Sequence, residues 1–190
     1  MSQSMKQEVR KHHDHIASIY EMRKHDFYMR TIRKAIGHVR FTRMVDLGCG
    51  TGLVLSWFEG ERVGIDFSEE LLSHAHKGPN YILADVESLP LKGQCVDLVL
   101  CTDVLEHTPS LKVIEEGHRI LTRQGVLHLS TANKRYGVFL EILEKLGLKL
   151  PEGPRTWRST KEIVRKFQEM GFSCTRWSSP PITFYRGTKT

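Results

Sequence analysis

Apolar residues change their spacing twice along this chain, and the changes divide it into three stretches. From about Gln7 to Ile36 they recur every three or four positions, at Ile16, Ile19, Tyr20, Phe27, Ile32 and Ile36, with charges between them. That is the period of one helix face. One or two amphipathic helices are predicted there, lying across the domain entrance. From Arg43 short apolar runs alternate with helical stretches. MVDL ends in a glycine turn, and LVLSWFEG reads as the helix after it. RVGID is a second strand, followed by the helical EELLSHAHKG. YILADVESLPL and CVDLVLCTDVLEH supply a third and a fourth strand, VIEEGHRIL a helix and GVLHLSTANK a fifth strand. Strands apolar on both faces belong to a parallel sheet covered on both sides.

After Asn133 the rhythm breaks. YGVFLEILEKLGLKL is amphipathic, and a Pro/Gly/Arg loop follows it. STKEIVRKFQEMGF is a helix with Ser159 as N-cap, Glu162 completing a capping box and Gly171 as stop. Two short strands around Pro180-Pro181 predict an antiparallel pair at the sheet edge. The expected fold is α/β: a Rossmann-like, doubly wound, mostly parallel seven-stranded sheet with an antiparallel C-terminal edge pair. Residues 1–190 are expected to form a single domain, with 1–40 as a helical lid and 134–158 as a substrate cap.

Composition narrows the class without naming a function. The chain has 190 residues, 39% hydrophobic and 26% charged, as in an ordinary globular domain with one core. No apolar run approaches the ~20 residues that span a bilayer. The polar N-terminus lacks a signal-peptide core, so a cytoplasmic protein is expected. Cys49, Cys95, Cys101 and Cys174 show neither a CxxC pair nor zinc spacing, and read as structural thiols in a reducing compartment. The net charge of +6 (28 − 22) permits an anionic partner. However, the basic residues are scattered and no arginine-rich arm carries a nucleic-acid signal. His12, His13, Asp14 and His15 stand side by side, and adjacent helical residues point in different directions. A solvated polar face is expected there, and no metal site.

The chemistry concentrates at strand ends. Asp46-Leu47-Gly48-Cys49-Gly50-Thr51-Gly52 follows the first strand. Its glycines let the backbone turn sharply and approach a ligand, and the next helix is expected to aim its amides there. Nucleotide-binding Rossmann domains share glycine turns, but here the third glycine is at the fifth position rather than the sixth. Asp46 before the turn repels a pyrophosphate and suits a ligand with a cationic end. Asp66 ends the second strand, where a carboxylate accepts hydrogen bonds from ribose hydroxyls. A helix N-cap is its other reading, a task Ser68 can perform. Asp85 ends the third strand and can accept from an adenine amino group, with Val86 beside the ring. Three acids at successive strand ends fall on the carboxyl edge, where open α/β sheets bind ligands.

DLGCGTG, VGID, ADVESLPL, VDLVLCTDVLEH and RILTRQGVLHLST, in that order, resemble the motif set of class I S-adenosylmethionine-dependent methyltransferases. The likeness is to the group that includes the ubiquinone and menaquinone biosynthesis enzymes, and it covers roughly Arg43 to Asn133. It implies S-adenosyl-L-methionine as cofactor. Asp46 and the turn (Gly48, Cys49, Gly50, Gly52) would hold its methionine part, Asp66 with Phe67 the ribose, and Asp85 with Val86 the adenine. Thr102 and Asp103 would line the transfer site. His107 either serves as a general base or caps the turn before Pro109. Glu106 holds structure or touches substrate, and Tyr20 folds over the cofactor or packs in the core.

The acceptor is not named by these residues. Phe139, Ile142, Leu143, Leu146 and Trp157 form either an apolar cap or a helix packed on the core. Arg155 and Arg158 either steer an anionic substrate or face water. Transfer to oxygen or carbon of a small molecule is the favoured expectation from the likeness. Methylation of RNA or protein, or non-catalytic cofactor binding, stands as the alternative. No Asn-Pro-Pro-Tyr-type motif supports N-methylation of a base or amide, and the oligomeric state stays open.

Overall fold

Seven strands form one sheet in the computed structural model, which describes residues 2–19, 26–37, 39–147 and 153–190. Tyr20 lies outside the described residues. Strands β1 (Arg43–Leu47), β2 (Glu61–Asp66), β3 (Asn80–Leu83), β4 (Val96–Thr102) and β5 (Leu121–Ala132) pair in parallel. Strands β6 (Phe172–Ser179) and β7 (Ile182–Lys189) pair antiparallel, and the sheet order is β3-β2-β1-β4-β5-β7-β6. The fold is Rossmann-like α/β, as expected. The C-terminal pair is there too, with β7 inserted against β5 and only β6 on the edge.

The strands sort their side chains by parity. Val45, Leu47, Val99 and Cys101 face one layer, where they meet Val113, Ile114 and Ile120 of α4 (Lys112–Ile120) and Ile163 and Phe167 of α6 (Thr160–Glu169). Met44, Leu98, Leu100 and Phe184 face the other, against Ile32 and Ile36 of α2 (Asp26–Ile36). Two apolar faces explain the near-continuous hydrophobic runs of the central strands. Helix α6 begins at Ser159, whose Oγ accepts from the Glu162 amide at 3.2 Å, and stops before Gly171 at φ +80°. It delivers Phe167, fully buried, against Phe172 and Tyr185 at ring-centroid distances of 5.1 and 6.1 Å.

One predicted helix is absent. LVLSWFEG forms turns and a short 3₁₀ segment, Leu55–Trp57. Gly52 and Gly60 leave too few residues between them to repay helix nucleation. Arg62 also takes the Leu55 carbonyl at 3.1 Å, together with that of Phe58. The first crossover is therefore made of turns. Among the described residues no helix is long and apolar enough to cross a membrane.

The sheet places the site. Strand β1 has β2 on one side and β4 on the other. The chain therefore winds outward in both directions from β1 and β4, and a crevice opens beyond their carboxyl ends.

The sheet also buries a histidine. His128 on β5 lies opposite Arg186 on β7 and is 5% exposed. Burial first and the Arg186 charge second push its imidazole down to about 4. An unfolded histidine titrates near 6.5, so as pH falls the unfolded chain takes up this proton first. The stabilisation is complete above pH ~6.5 and is lost progressively toward pH 4, amounting to about 3 kcal/mol in all. Urea unfolding between pH 7 and 5 is expected to show falling stability, and His128→Leu to flatten that slope. Identical slopes in both proteins would remove His128 as the cause.

Candidate active site

The turn after β1 is built against two side chains. Gly48 has φ +69°, and a Cβ there would come within 2.3 Å of Val104 Cγ2. Gly52 has φ +74°, and a Cβ there would stand 2.1 Å from the Tyr81 hydroxyl. That hydroxyl donates to the His76 carbonyl at 2.8 Å. Both positions need glycine for conformation and for space. The Gly48 and Cys49 amides donate to the Ile65 carbonyl at 2.7 and 3.1 Å, which ties the turn to β2.

Asp66 closes the same turn from the side. Its Oδ2 accepts from the Gly50 amide at 2.8 Å and its Oδ1 from the Ser68 amide at 2.9 Å. Burial pushes the carboxyl up, and the amides of Ser68, Gly50 and Phe67 pull against it. Ser68 caps α3 (Glu69–Ser73), its Oγ accepting from the Leu71 amide at 3.1 Å. The cap belongs to Ser68, as expected, but Asp66 has a structural task of its own. The expected helix amides are replaced here by turn amides that point at a carboxylate. Cys49 is buried, and its thiol is pushed well up by burial first and then by Asp46 and Asp66. It is an inert wall.

Beyond the turn lies a partly open cleft of about 60 Å³. Gly48, Asp66, Phe67, Asp85, Val86, Asp103 and His107 line it, so strand ends far apart in sequence converge. Asp46, Cys49, Gly50, Gly52 and Thr102 are not in that lining. Asp46 is 1% exposed within β1, opposite Gly64 and Leu100. Asp103 follows β4 at φ +56°, a left-handed conformation that costs a residue with a Cβ ~1–2 kcal/mol. Its amide donates to the Ser130 carbonyl at 3.1 Å, and Ser130 Oγ donates to its Oδ1 at 3.3 Å. His107 Nδ1 donates to the Pro154 carbonyl at 2.9 Å. In the neutral ring that bond assigns the acceptor lone pair to Nε2.

The remaining wall comes from α1 (Ser2–Ile16), which contributes Lys6, Val9 and His13. Lys6 Nζ stands 2.5 Å from Asp85 Oδ2 and 2.7 Å from Glu87 Oε2. Burial draws the Lys6 ammonium down, but the hydrogen bonds and charges of these acids outweigh it and raise its pKa. The His13 ring meets His107 edge-on at 5.5 Å, and Asp14 Oδ1 accepts from Ser68 Oγ at 2.5 Å. This corrects the expectation of a solvated face for the His12–His15 cluster. Two of its members turn inward because the helix lies on the cleft. Lys6, Val9 and His13 fall at helical spacing, the one signal that could have grouped them.

Neighbouring residues take structural parts. Glu106 is 3% exposed and accepts from Thr131 Oγ1 at 2.9 Å and the Ala132 amide at 3.3 Å, holding the end of β5. Arg158, expected to steer an anion or face water, is buried and donates to the carbonyls of Leu105 and Thr108 at 2.6 and 2.8 Å. Arg155 pairs with Glu144 and is equally shielded. Phe139, Ile142 and Leu146 were expected to cap the pocket or pack on the core. All three are exposed and do neither.

Residues 45–129 match the sequence pattern of a methyltransferase domain family. A malonyl-[acyl-carrier protein] O-methyltransferase of Hamiltonella defensa is 35% identical over 102 residues, which are 50% of this chain and 40% of that protein. A ubiquinone biosynthesis O-methyltransferase of Coxiella burnetii is 31% identical over 108 residues, 51% of this chain and 46% of that protein. The solved structure of an S-adenosylmethionine-dependent methyltransferase from Thermotoga maritima superposes with a TM-score of 0.80 at 19% identity, covering 96% of this chain and 100% of that one. Residues 45–129 are thus similar to a methyltransferase domain, and the whole chain has the fold of the S-adenosylmethionine-dependent enzymes. It spans less than half the length of the curated relatives it matches.

The residues of the methyltransferase domain fit the family's cofactor, S-adenosyl-L-methionine, in their chemistry. Acceptor carboxylates at Asp66 and Asp85 and the bare backbone of Gly48 share one wall. The space does not yet suffice. A volume of about 60 Å³ holds about four waters. Helix α1 forms the wall that limits this space, through Lys6, Val9 and His13.

Asp66 is expected to matter before any ligand arrives. Asp66→Ala leaves two buried turn amides without their acceptor, and is expected to lower the stability of the ligand-free protein by ~1–3 kcal/mol. Urea unfolding of the two proteins measures this. Equal midpoints would mean that the turn holds itself.

Proposed function

We propose that this chain transfers a methyl group from S-adenosyl-L-methionine to an oxygen or carbon atom of a small-molecule acceptor. The observation that carries the reading is the convergence of Gly48, Asp66, Asp85, Val86, Asp103 and His107 on one cleft at the sheet's reversal point. When bound, S-adenosyl-L-methionine supplies a methyl group already activated by its sulfonium. Asp46, behind the glycine turn, offers negative charge to the methionine end. Asp66, with Phe67 beside it, accepts from the ribose hydroxyls, whose donors offset the cost of burying its charge. Asp85 accepts from the adenine amino group over Val86, once Lys6 yields its place and keeps Glu87.

Methyl transfer depends mainly on aligning acceptor and donor, so the protein's work is positioning and exclusion of water. Asp103 and Thr102 stand where β4 delivers the acceptor side. His107, with its Nδ1 proton committed to Pro154, holds Nε2 as a base for acceptors that must lose a proton. Helix α1 closes the cleft over the reactants as the lid, through Lys6, Val9 and His13. The two relatives described above, both O-methyltransferases, support an oxygen acceptor.

Calorimetric titration tests the reading directly. S-adenosylmethionine and S-adenosylhomocysteine are expected to bind, and NAD is not. Asp66→Asn is expected to lose on the order of tenfold or more in affinity, the worth of one bond to a charged acceptor. Preference for NAD, or no binding to folded protein, would overturn it. In a companion titration Asp46→Ala weakens S-adenosylmethionine more than adenosine. Equal losses would remove Asp46 from the methionine end.

A further inference from the structure

Helix α5 (Gly137–Lys145) turns its apolar stripe away from the protein. Val138 is 72% exposed, Phe139 58%, Ile142 49% and Leu146, just past the helix, 66%. At ~100° per residue these four side chains fall within about a quarter of the helix circumference. The opposite side packs inward through Leu140, 7% exposed, and through Gly137, where a Cβ would lie 2.9 Å from the Trp157 ring. Four apolar side chains side by side make a contiguous patch, the kind of surface that marks a contact site.

Charge decides what covers the patch. The two acids of α5 are engaged along its flank: Glu144 pairs with Arg155, and Glu141 accepts from Trp157 Nε1 at 2.9 Å. The basic residues at its ends, Lys134 and Arg135 before it and Lys145 in its last turn, are all exposed. The chain as a whole carries +6. An apolar stripe with cations at both ends, one of its two acids paired with an arginine and the other to the side of the stripe, is the signature of a helix lying in a membrane interface. A second copy fits less well. It brings the same cations against themselves, and a patch of a few hundred Å² falls short of the ~800 Å² per partner of a stable interface.

We propose that α5 docks this chain on the surface of an anionic lipid bilayer, with Val138, Phe139, Ile142 and Leu146 entering the headgroup–acyl boundary. Lys134, Arg135 and Lys145 then meet lipid phosphates. The consequence for substrate rests on the proposed function. Helix α5 follows β5 at the carboxyl edge of the sheet, and the loop after it supplies the Pro154 carbonyl bonded to His107. A docked α5 sets the mouth of the cleft against the bilayer, which suits an acceptor dissolved in lipid.

Co-sedimentation of the full chain with vesicles tests the docking. Binding is expected to vesicles containing phosphatidylserine and to be weaker by roughly tenfold or more on phosphatidylcholine alone or at high salt. Phe139→Glu with Ile142→Glu is expected to abolish it while leaving urea stability and S-adenosylmethionine binding unchanged. Lys134→Glu with Arg135→Glu is expected to weaken it without any change in fold. No binding to anionic vesicles, or binding indifferent to these substitutions, overturns the proposal. So does a concentration-dependent dimer in ultracentrifugation that Ile142→Glu dissolves. Failure of S-adenosylmethionine binding in the parent protein would count against the proposed function and leave the docking result standing.

Discussion

Asp66 ends β2 with both carboxylate oxygens facing backbone amides, one in the turn that leaves β1 and one in the turn that starts α3. The residue is 5% exposed, and Asp14 meets the second turn at the Ser68 hydroxyl. The two amide bonds join the Gly48–Gly52 loop to the entry into α3, beside the amides that tie the loop to Ile65. A buried carboxylate held only by amides is costly, and burial does raise its pKa. In the proposed function the ribose hydroxyls repay part of that cost, so that structure and binding draw on one charge.

The second constraint is the occupancy of the cleft by the protein's own N-terminus. Lys6 sits on Asp85 and Glu87 with a side chain 30% exposed, while Asp85 is 41% exposed. The pair with Asp85, this open to water, is worth only ~0–1 kcal/mol, whereas Glu87, with a side chain 6% exposed, is the more shielded partner. Val9, 1% exposed, adds an apolar anchor, His13 meets His107 edge-on, and Asp14 takes the Ser68 hydroxyl and pairs with Arg10. Helix α1 is thus held by contacts along its length, from Met5 against Thr156 to Asp14 against Ser68. In the proposed function Asp85 exchanges Lys6 for a donor of the ligand, and Glu87 keeps the lysine nearby.

Local patterns carried most of the fold. Apolar strand runs, glycine turns, the Ser159 cap and the acids at strand ends are properties of neighbouring residues, and each was legible in the sequence. What failed depended on distant partners. The segment after Gly52 has helical spacing but gives two of its carbonyls to Arg62, a partner in the next strand. Arg155 and Arg158 look like surface cations until the carbonyls of Leu105 and Thr108 and the carboxylate of Glu144 surround them. His13 and Asp14 look solvated until the helix that bears them is laid on the sheet edge. Of the candidate site, Gly48, Asp66, Phe67, Asp85, Val86, Asp103 and His107 converge on the cleft. The N-terminal helices were expected across the entrance, but not that Lys6, Val9 and His13 are the residues turned to the cleft, because a helical period does not state which face meets the sheet.

The wall that carries His107 links the remaining pieces. Arg158 binds the carbonyls of the 105–110 turn, and Glu106 in that turn fastens the end of β5. The Thr156 amide donates to the Glu106 carbonyl at 2.7 Å, and Pro154 accepts from His107. Trp157 and Arg155 in the same stretch hold Glu141 and Glu144 of α5. The path from α5 to the imidazole is therefore a continuous set of hydrogen bonds and ion pairs through residues 154–158. The bond to Pro154 settles which nitrogen of the neutral imidazole keeps its lone pair.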